Sequence, residues 1–170
     1  MESCDLSELW DFSTAESKKY FNACKTSTKL AWNVPRGCRS YLIQHVLAPR
    51  TFSARTKILS RFHGFFLSLK NSVSHEVSVC AHLSARDVRS NLGKNLMLLR
   101  EETNLEPWTA DRVQIKLAIH RTELVAIGAG DLWRVEYLSK LLDERLQAIY
   151  NLDERSEANI TSLINSLVIN

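Results

Sequence analysis

Few residues in this chain stand at spacings that covalent or metal chemistry could use. Nucleophilic catalysis needs a Ser or Cys beside a base, with a third group to orient that base. No G-x-S-x-G elbow and no recognisable cysteine-protease context occurs. Phosphoryl transfer needs a phosphate cradle or paired metal-binding carboxylates, and the chain holds neither a P-loop nor an Asp-Asp pair. Glu101 and Glu102 are adjacent, so on a helix they point about 100° apart and read as a solvated helix end. His75 and His82 share a helix face at i, i+7, but Cys80 is turned from His75 by about 140°, so the three do not converge on a metal. Gly128-Ala129-Gly130 is too short for a dinucleotide fingerprint, which needs a preceding strand and a longer glycine pattern, and reads as a turn. The expectation is no catalytic residue, no metal and no cofactor.

The charge distribution is more informative. The chain carries a formal +3 overall. Its first 29 residues contribute −1, residues 30–100 contribute +9 with only Glu76 and Asp87 as acids, and residues 101–170 contribute −5. A basic middle between acidic ends suits a polyanion surface, or two halves that neutralise each other within the fold. On one predicted helix Lys57, Ser60, Arg61, Gly64, Ser68 and Asn71 fall together beside an apolar arc. Cations attract phosphate, small residues admit a backbone, and Ser and Asn donate to phosphate oxygens. Arg86, Arg89 and Lys94 form a second group, and Arg50 and Arg55 could join the two into one stripe. The candidate nucleic-acid-binding set is therefore Arg50, Arg55, Lys57, Arg61, Arg86, Arg89 and Lys94. No base-reading element accompanies it, so binding to an RNA or DNA backbone should be weak, sequence-nonspecific and salt-sensitive.

The elements that must position these groups are helical. Ser13-Thr14-Ala15-Glu16 reads as a capping box opening a helix over 13–32, and Asn33-Val34-Pro35 ends it. A second helix is expected from Pro35 to before Pro49. A third, over 53–71, buries Ile58, Leu59, Phe62, Phe65, Phe66 and Leu69 at 3/4 spacing. A fourth spans 74–90, with Val77, Cys80, Ala81, Ala85 and Val88 inward and Gly93 beyond it as a C-terminal cap. Helices over 94–103 and 109–120 follow. Ala126 to Gly130 is a flexible break, Asp131 caps a helix to Tyr150, and a last helix covers 154–167. Trp10, Trp32, Trp108 and Trp133 each lie near a helix end and read as anchors between helices rather than stacking platforms. The only strand-like run, Leu124 to Ile127, is too short to build a sheet. The fold class is all-α: an irregular bundle of seven or eight helices, with an N-terminal segment over 1–12 and one helical domain over 13–170.

At 170 residues such a domain can bury a sizeable core. No apolar run approaches the roughly 18 residues of a bilayer span, so no membrane partner is expected. The N-terminus is acidic and lacks the apolar core of a secretory signal. Cys4, Cys24, Cys38 and Cys80 form no C-x-x-C and suit reduced thiols in the cytosol or nucleus.

Six strings carry a resemblance. They are ELWDFS (Glu8 to Ser13), KLAWNVPR (Lys29 to Arg36), SHEVSVCAHLSARDVRSNLGKNL (Ser74 to Leu96), REETNLEPW (Arg100 to Trp108), LWRVEYLSKLLDER (Leu132 to Arg145) and LINSLVIN (Leu163 to Asn170). In order and spacing they resemble the extreme C-terminal region of non-LTR retrotransposon reverse-transcriptase polyproteins. The resemblance implies a segment downstream of the polymerase palm, lacking its paired metal-binding aspartates, cut from a degenerate genomic copy. It brings no established functional residue with it. Two roles follow as expectations: a non-catalytic tail with residual affinity for nucleic-acid backbone, or a remnant whose helices once packed on a polymerase body and now self-associate through bare apolar surface.

Overall fold

The computed structural model describes residues 10–35, 37–48, 51–124 and 128–168, with side chains of the last helix described through Asn151 and at Glu157 and Ala158. Arg50 lies outside the described residues, and so do positions 126 and 127 of the expected break. The described residues form seven α-helices and no strand: α1 (Ala15–Ala31), α2 (Ser40–Leu47), α3 (Ala54–Lys70), α4 (His75–Arg86), α5 (Asn91–Thr103), α6 (Arg112–Glu123) and α7 (Ala129–Val168). The architecture is all-α, as the periodicity predicts. By their contacts the residues group into two compact units, 1–126 and 127–170.

In the first unit α3 is central. It packs on α6, α4, α5 and α1, while α5 also packs on α4 and α6, and α2 lies on α1. Phe62 and Phe66 of α3, Leu99 of α5, and Ile115 and Ile119 of α6 are all but fully buried. Phe12 seals one end by meeting Phe62 edge-on at 5.7 Å. The stretch before α1 is thus part of this core. Asn95 of α5 clamps it there: its Oδ1 accepts from the Phe12 amide at 2.9 Å and its Nδ2 donates to the Trp10 carbonyl at 2.5 Å. A buried amide that makes both bonds fixes the register of the two segments.

Several helix ends differ from the expected ones. The α1 cap is Thr14, not Ser13; Thr14 accepts from the Ser17 amide, and the Ser13 hydroxyl instead donates to Asp11 at 2.5 Å. α6 begins at Arg112 behind Asp111, which forms a full capping box with Gln114, rather than at Thr109. Gly93 does not cap α4. α4 stops at Arg86, and Gly93 lies in the first turn of α5, where its amide donates to the N-cap Ser90. A Cβ there would stand 2.1 Å from the Asp87 carbonyl oxygen, so the tight α4–α5 turn demands glycine. The two C-terminal helices are one. Residues 151–153 (Asn-Leu-Asp) contain no Gly or Pro to break the ladder, and α7 continues from Ala129 to Val168.

The inner face of α4 is rotated from the expected one. Ala81 is its only fully buried residue, flanked by half-buried Ser78, His82 and Ala85. Val77, Cys80 and Val88 face solvent instead. Polar side chains fill the inner positions because each finds a backbone partner: Ser78 donates to the Lys70 carbonyl at 2.7 Å, and His82 Nδ1 lies 2.7 Å from the Ser78 carbonyl.

Candidate nucleic-acid interface

The sequence-predicted cations divide into groups that the fold treats differently. Arg55, in the first turn of α3, is drawn inward. Its guanidinium pairs with Glu102 of α5, stands 4.0 Å from Glu123 of α6 and lies 5.9 Å from the Phe21 ring centroid. Glu123 Oε2 meanwhile accepts from the Ser53 hydroxyl at 2.5 Å and the Thr56 hydroxyl at 2.8 Å. No acidic residue lies in the first turn of α3, so Glu123 brings from α6 the negative charge that the positive end of the helix dipole favours. Arg55 is therefore a structural cation. Lys94 is also engaged, donating to Asp11 at 2.9 Å. Both residues pair with acids distant in sequence, which no local pattern reveals.

Lys57 and Arg61 are exposed on the outer face of α3, with Gly64, Ser68 and Asn71 along the same stripe. α3 contains no acidic residue at all. α6 runs antiparallel alongside, since its C-terminal Glu123 reaches Ser53 and its N-terminal Arg112 reaches Ser60 and Gly64. Arg112 Nε donates to Ser60 Oγ at 3.4 Å, and its side chain folds across the space that a Gly64 Cβ would enter. One helical turn on, the Lys116 ammonium sits 4.0 Å above the Phe52 ring. Arg112 and Lys116 were missed in the sequence because the net −5 of the C-terminal third masks them; their i, i+4 spacing on a capped amphipathic helix was the available signal.

Arg86 and Arg89 are exposed near the α4–α5 turn, where Arg89 Nε donates to Asp87 at 3.2 Å. At 88% exposure on Arg89 this pair holds little energy. The seven cations thus do not make one continuous stripe: Lys57 and Arg61 share a face with Arg112, Arg86 and Arg89 lie at a separate turn, and Arg55 and Lys94 are consumed by carboxylates.

His75, Cys80 and His82 are not gathered either. His82 tilts against Trp108, with ring centroids 5.3 Å apart, while His75 and Cys80 are exposed. Among the described residues no three His, Cys, Asp or Glu side chains are placed to hold a metal ion. The histidine that the fold perturbs is one the sequence did not single out. His63 is fully buried under α3, with Nε2 2.9 Å from the Pro107 carbonyl. Burial, the largest cause, holds its pKa below the usual 6.5, against the opposing pull of the Pro107 hydrogen bond. The neutral ring therefore donates from Nε2 to that carbonyl.

Of the tryptophans, Trp108 anchors the core edge-on to Phe66 at 5.1 Å, and Trp10 meets Tyr20 at 5.3 Å. Trp32 instead lines a cleft of about 320 Å³ between α1, α2 and the start of α3. Trp133 is largely exposed, with Arg134 above its ring at 5.3 Å. No described helix is long and apolar enough to cross a membrane. Comparison of the chain with protein-family models, with curated proteins and with solved structures returns no match.

Proposed function

We propose that this chain is a non-catalytic helical module that holds a nucleic-acid backbone weakly and without reading its sequence, along the outer face of α3 and the neighbouring edge of α6. The observation that carries this reading is the placing of exposed Lys57 and Arg61 beside Arg112, whose side chain lies over Gly64, on a helix without any acidic residue. The one acid of α6, Glu123, is engaged with Ser53 and Thr56. The exposed Asn71 on the same stripe can donate to phosphate oxygens. An origin in the polymerase-distal end of a retroelement reverse transcriptase is supported by the six ordered strings and fits a tail that steadies a template or primer.

Duplex binding measured at two salt concentrations tests the proposal. With two or three phosphates neutralised, affinity should fall roughly 10- to 40-fold between about 50 and about 200 mM salt. Reversing Lys57 and Arg112 to Glu together should abolish it, while reversing Arg86 and Arg89 should leave most of it. Equal retention in the Lys57/Arg112 double variant would refute the interface.

A second reading has its own observation. Val79 and Leu83 stand at i, i+4 on the outer face of α4, and Leu83 and Val88 are 65% and 60% exposed. Exposed apolar groups of this kind suit a protein partner or self-association. Sedimentation of Leu83→Glu beside the parent chain separates the two readings: a parent oligomer that dissociates in the variant, with no duplex affinity in either, favours the second.

A further inference from the structure

The cleft beside Trp32 is formed by residues that the α3–α6 face does not use, Lys57 apart. Lys25, Thr28 and Trp32 follow one another at i, i+3 and i+7 along one side of α1. Ser40, Gln44 and Leu47 stand at i, i+4 and i+7 along α2, and the start of α3 closes the third side. The cleft's volume of about 320 Å³ suits one small ligand.

Its lining is specific in charge. Lys25, Arg55 and Lys57 all contribute, and among the described residues no Asp or Glu does. Arg55 is already neutralised by Glu102 and Glu123, which lie on an adjoining cleft. Lys25 and Lys57 form no salt bridge among the described residues; Lys25 also borders the adjoining cleft of Glu102 and Glu123, so the lining and its neighbours keep a net positive charge centred on Lys57. An anion is the complement. The apolar part of the lining, Ile43, Leu47 and Trp32, excludes a bare inorganic ion as the best fit. Ser40 and Gln44 offer a hydroxyl and an amide that an alkyl chain would leave unsatisfied at a cost. A flat group with hydrogen-bonding edges satisfies both and stacks on indole.

We propose that this cleft binds one nucleoside monophosphate unit, its base between Trp32 and Gln44 and its phosphate on Lys25 and Lys57. The unit's source is either a free mononucleotide or an unpaired nucleotide within a strand.

The test is titration of the full chain with adenosine monophosphate, followed by nitrogen–proton correlation NMR on the Trp32 indole. Parallel titrations use ribose 5-phosphate, decanoate, a short single strand and a duplex. The expected result is saturable displacement of the Trp32 resonance by the mononucleotide, weakened roughly tenfold in Gln44→Leu and in Lys25→Ala. It should be unchanged in Arg112→Glu, which lies outside the cleft. A single strand that shifts Trp32 more tightly than the mononucleotide assigns the site to a strand, and the reverse assigns it to the free nucleotide. Ribose 5-phosphate or decanoate binding as tightly as the mononucleotide overturns the proposal, as does an unmoved Trp32. Because duplex binding is read separately through Arg112, loss of the cleft site and loss of the α3–α6 interface give different results.

Discussion

The inner and outer faces of α3 are made from one stretch of chain and obey opposite rules. Inward lie Thr56, Ile58, Leu59, Ser60, Phe62, His63 and Phe66, every one buried. Outward lie Lys57, Arg61, Gly64, Ser68 and Asn71, with Arg112 of α6 laid across the glycine. The polar inner residues have specific partners: Thr56 donates to Glu123, Ser60 accepts from Arg112, and His63 meets Pro107 through Nε2 while its Nδ1 is buried without a partner. The contrast sets stability and the proposed binding on different sides of one helix, so substitutions should separate them. On the inner side, Phe66→Ala removes a fully buried ring that packs edge-on against Trp108. It should cost about 3–5 kcal/mol, against less than about 0.5 kcal/mol for Ser68→Ala outside. Urea unfolding of the two variants checks this, and similar midpoints would erase the distinction between the faces.

The polar knot at the start of α3 is the next test of the same contrast. Glu123→Ala strips partners from Ser53, Thr56 and, in part, Arg55, while the Glu123 side chain itself is only 10% exposed. Losing a buried carboxylate that serves three donors should destabilise by about 2–4 kcal/mol. Lys57→Ala, two residues from Arg55, should be nearly silent in unfolding and visible only in nucleic-acid affinity. A neutral Glu123→Ala would mean that the carboxylate's bonds to Ser53 and Thr56 do not hold the start of α3.

How much of this was legible beforehand differs by element. The apolar arc of α3 was, because Ile58, Leu59, Phe62 and Phe66 are large and strictly spaced. The outer stripe was legible as its geometric remainder except at Ser60, which was expected on it and is buried beside the arc. The orientation of α4 was not: a periodicity argument gives the interior to Val77, Cys80 and Val88, whereas Ser78 and His82 pack inward by bonding to carbonyls. Hydrophobic patterning has no means of valuing a polar group whose partner is backbone. Arg55 and Lys94 failed as binding residues for a related reason, since Glu102, Glu123 and Asp11 become their neighbours only through tertiary packing. Arg112 was hidden by averaging charge over a third of the chain, a scale far larger than one helix face.

Titration of His63 probes the inner face by pH. Its folded pKa lies below the usual 6.5, so the unfolded chain binds the proton more readily. Stability from the neutral ring is complete above about pH 6.5 and declines as pH falls through the interval between that value and the folded one. Thermal unfolding followed from pH 7.5 down to about 5 should show this decline, and His63→Gln should flatten it. His75 is exposed, so His75→Gln should leave the decline intact. An equal flattening by both substitutions would remove His63 as its cause.

Gly64→Ala carries the smallest expected effect and the sharpest separation of the two faces. The new methyl would meet Arg112 Cδ at 3.1 Å and Nε at 3.3 Å, tighter than ordinary contact. Those atoms belong to the far end of a long, exposed side chain, so Arg112 can swing aside at little cost. Against that stands the gain of alanine over glycine in a helix interior, up to about 1 kcal/mol. The weak 3.4 Å bond from Arg112 to Ser60 is the only hydrogen bond at risk. The balance favours a chain a few tenths of a kcal/mol more stable, measurable as a higher urea midpoint. Binding should move the other way, since the methyl turns Arg112 from the face it is proposed to share with Lys57 and Arg61. About a threefold loss of duplex affinity at low salt, with no loss of stability, is the expected pair of results. If the substitution instead lowers the urea midpoint, Arg112 is held rigidly over Gly64 as part of the packed structure, and the outer face is as structural as the inner one.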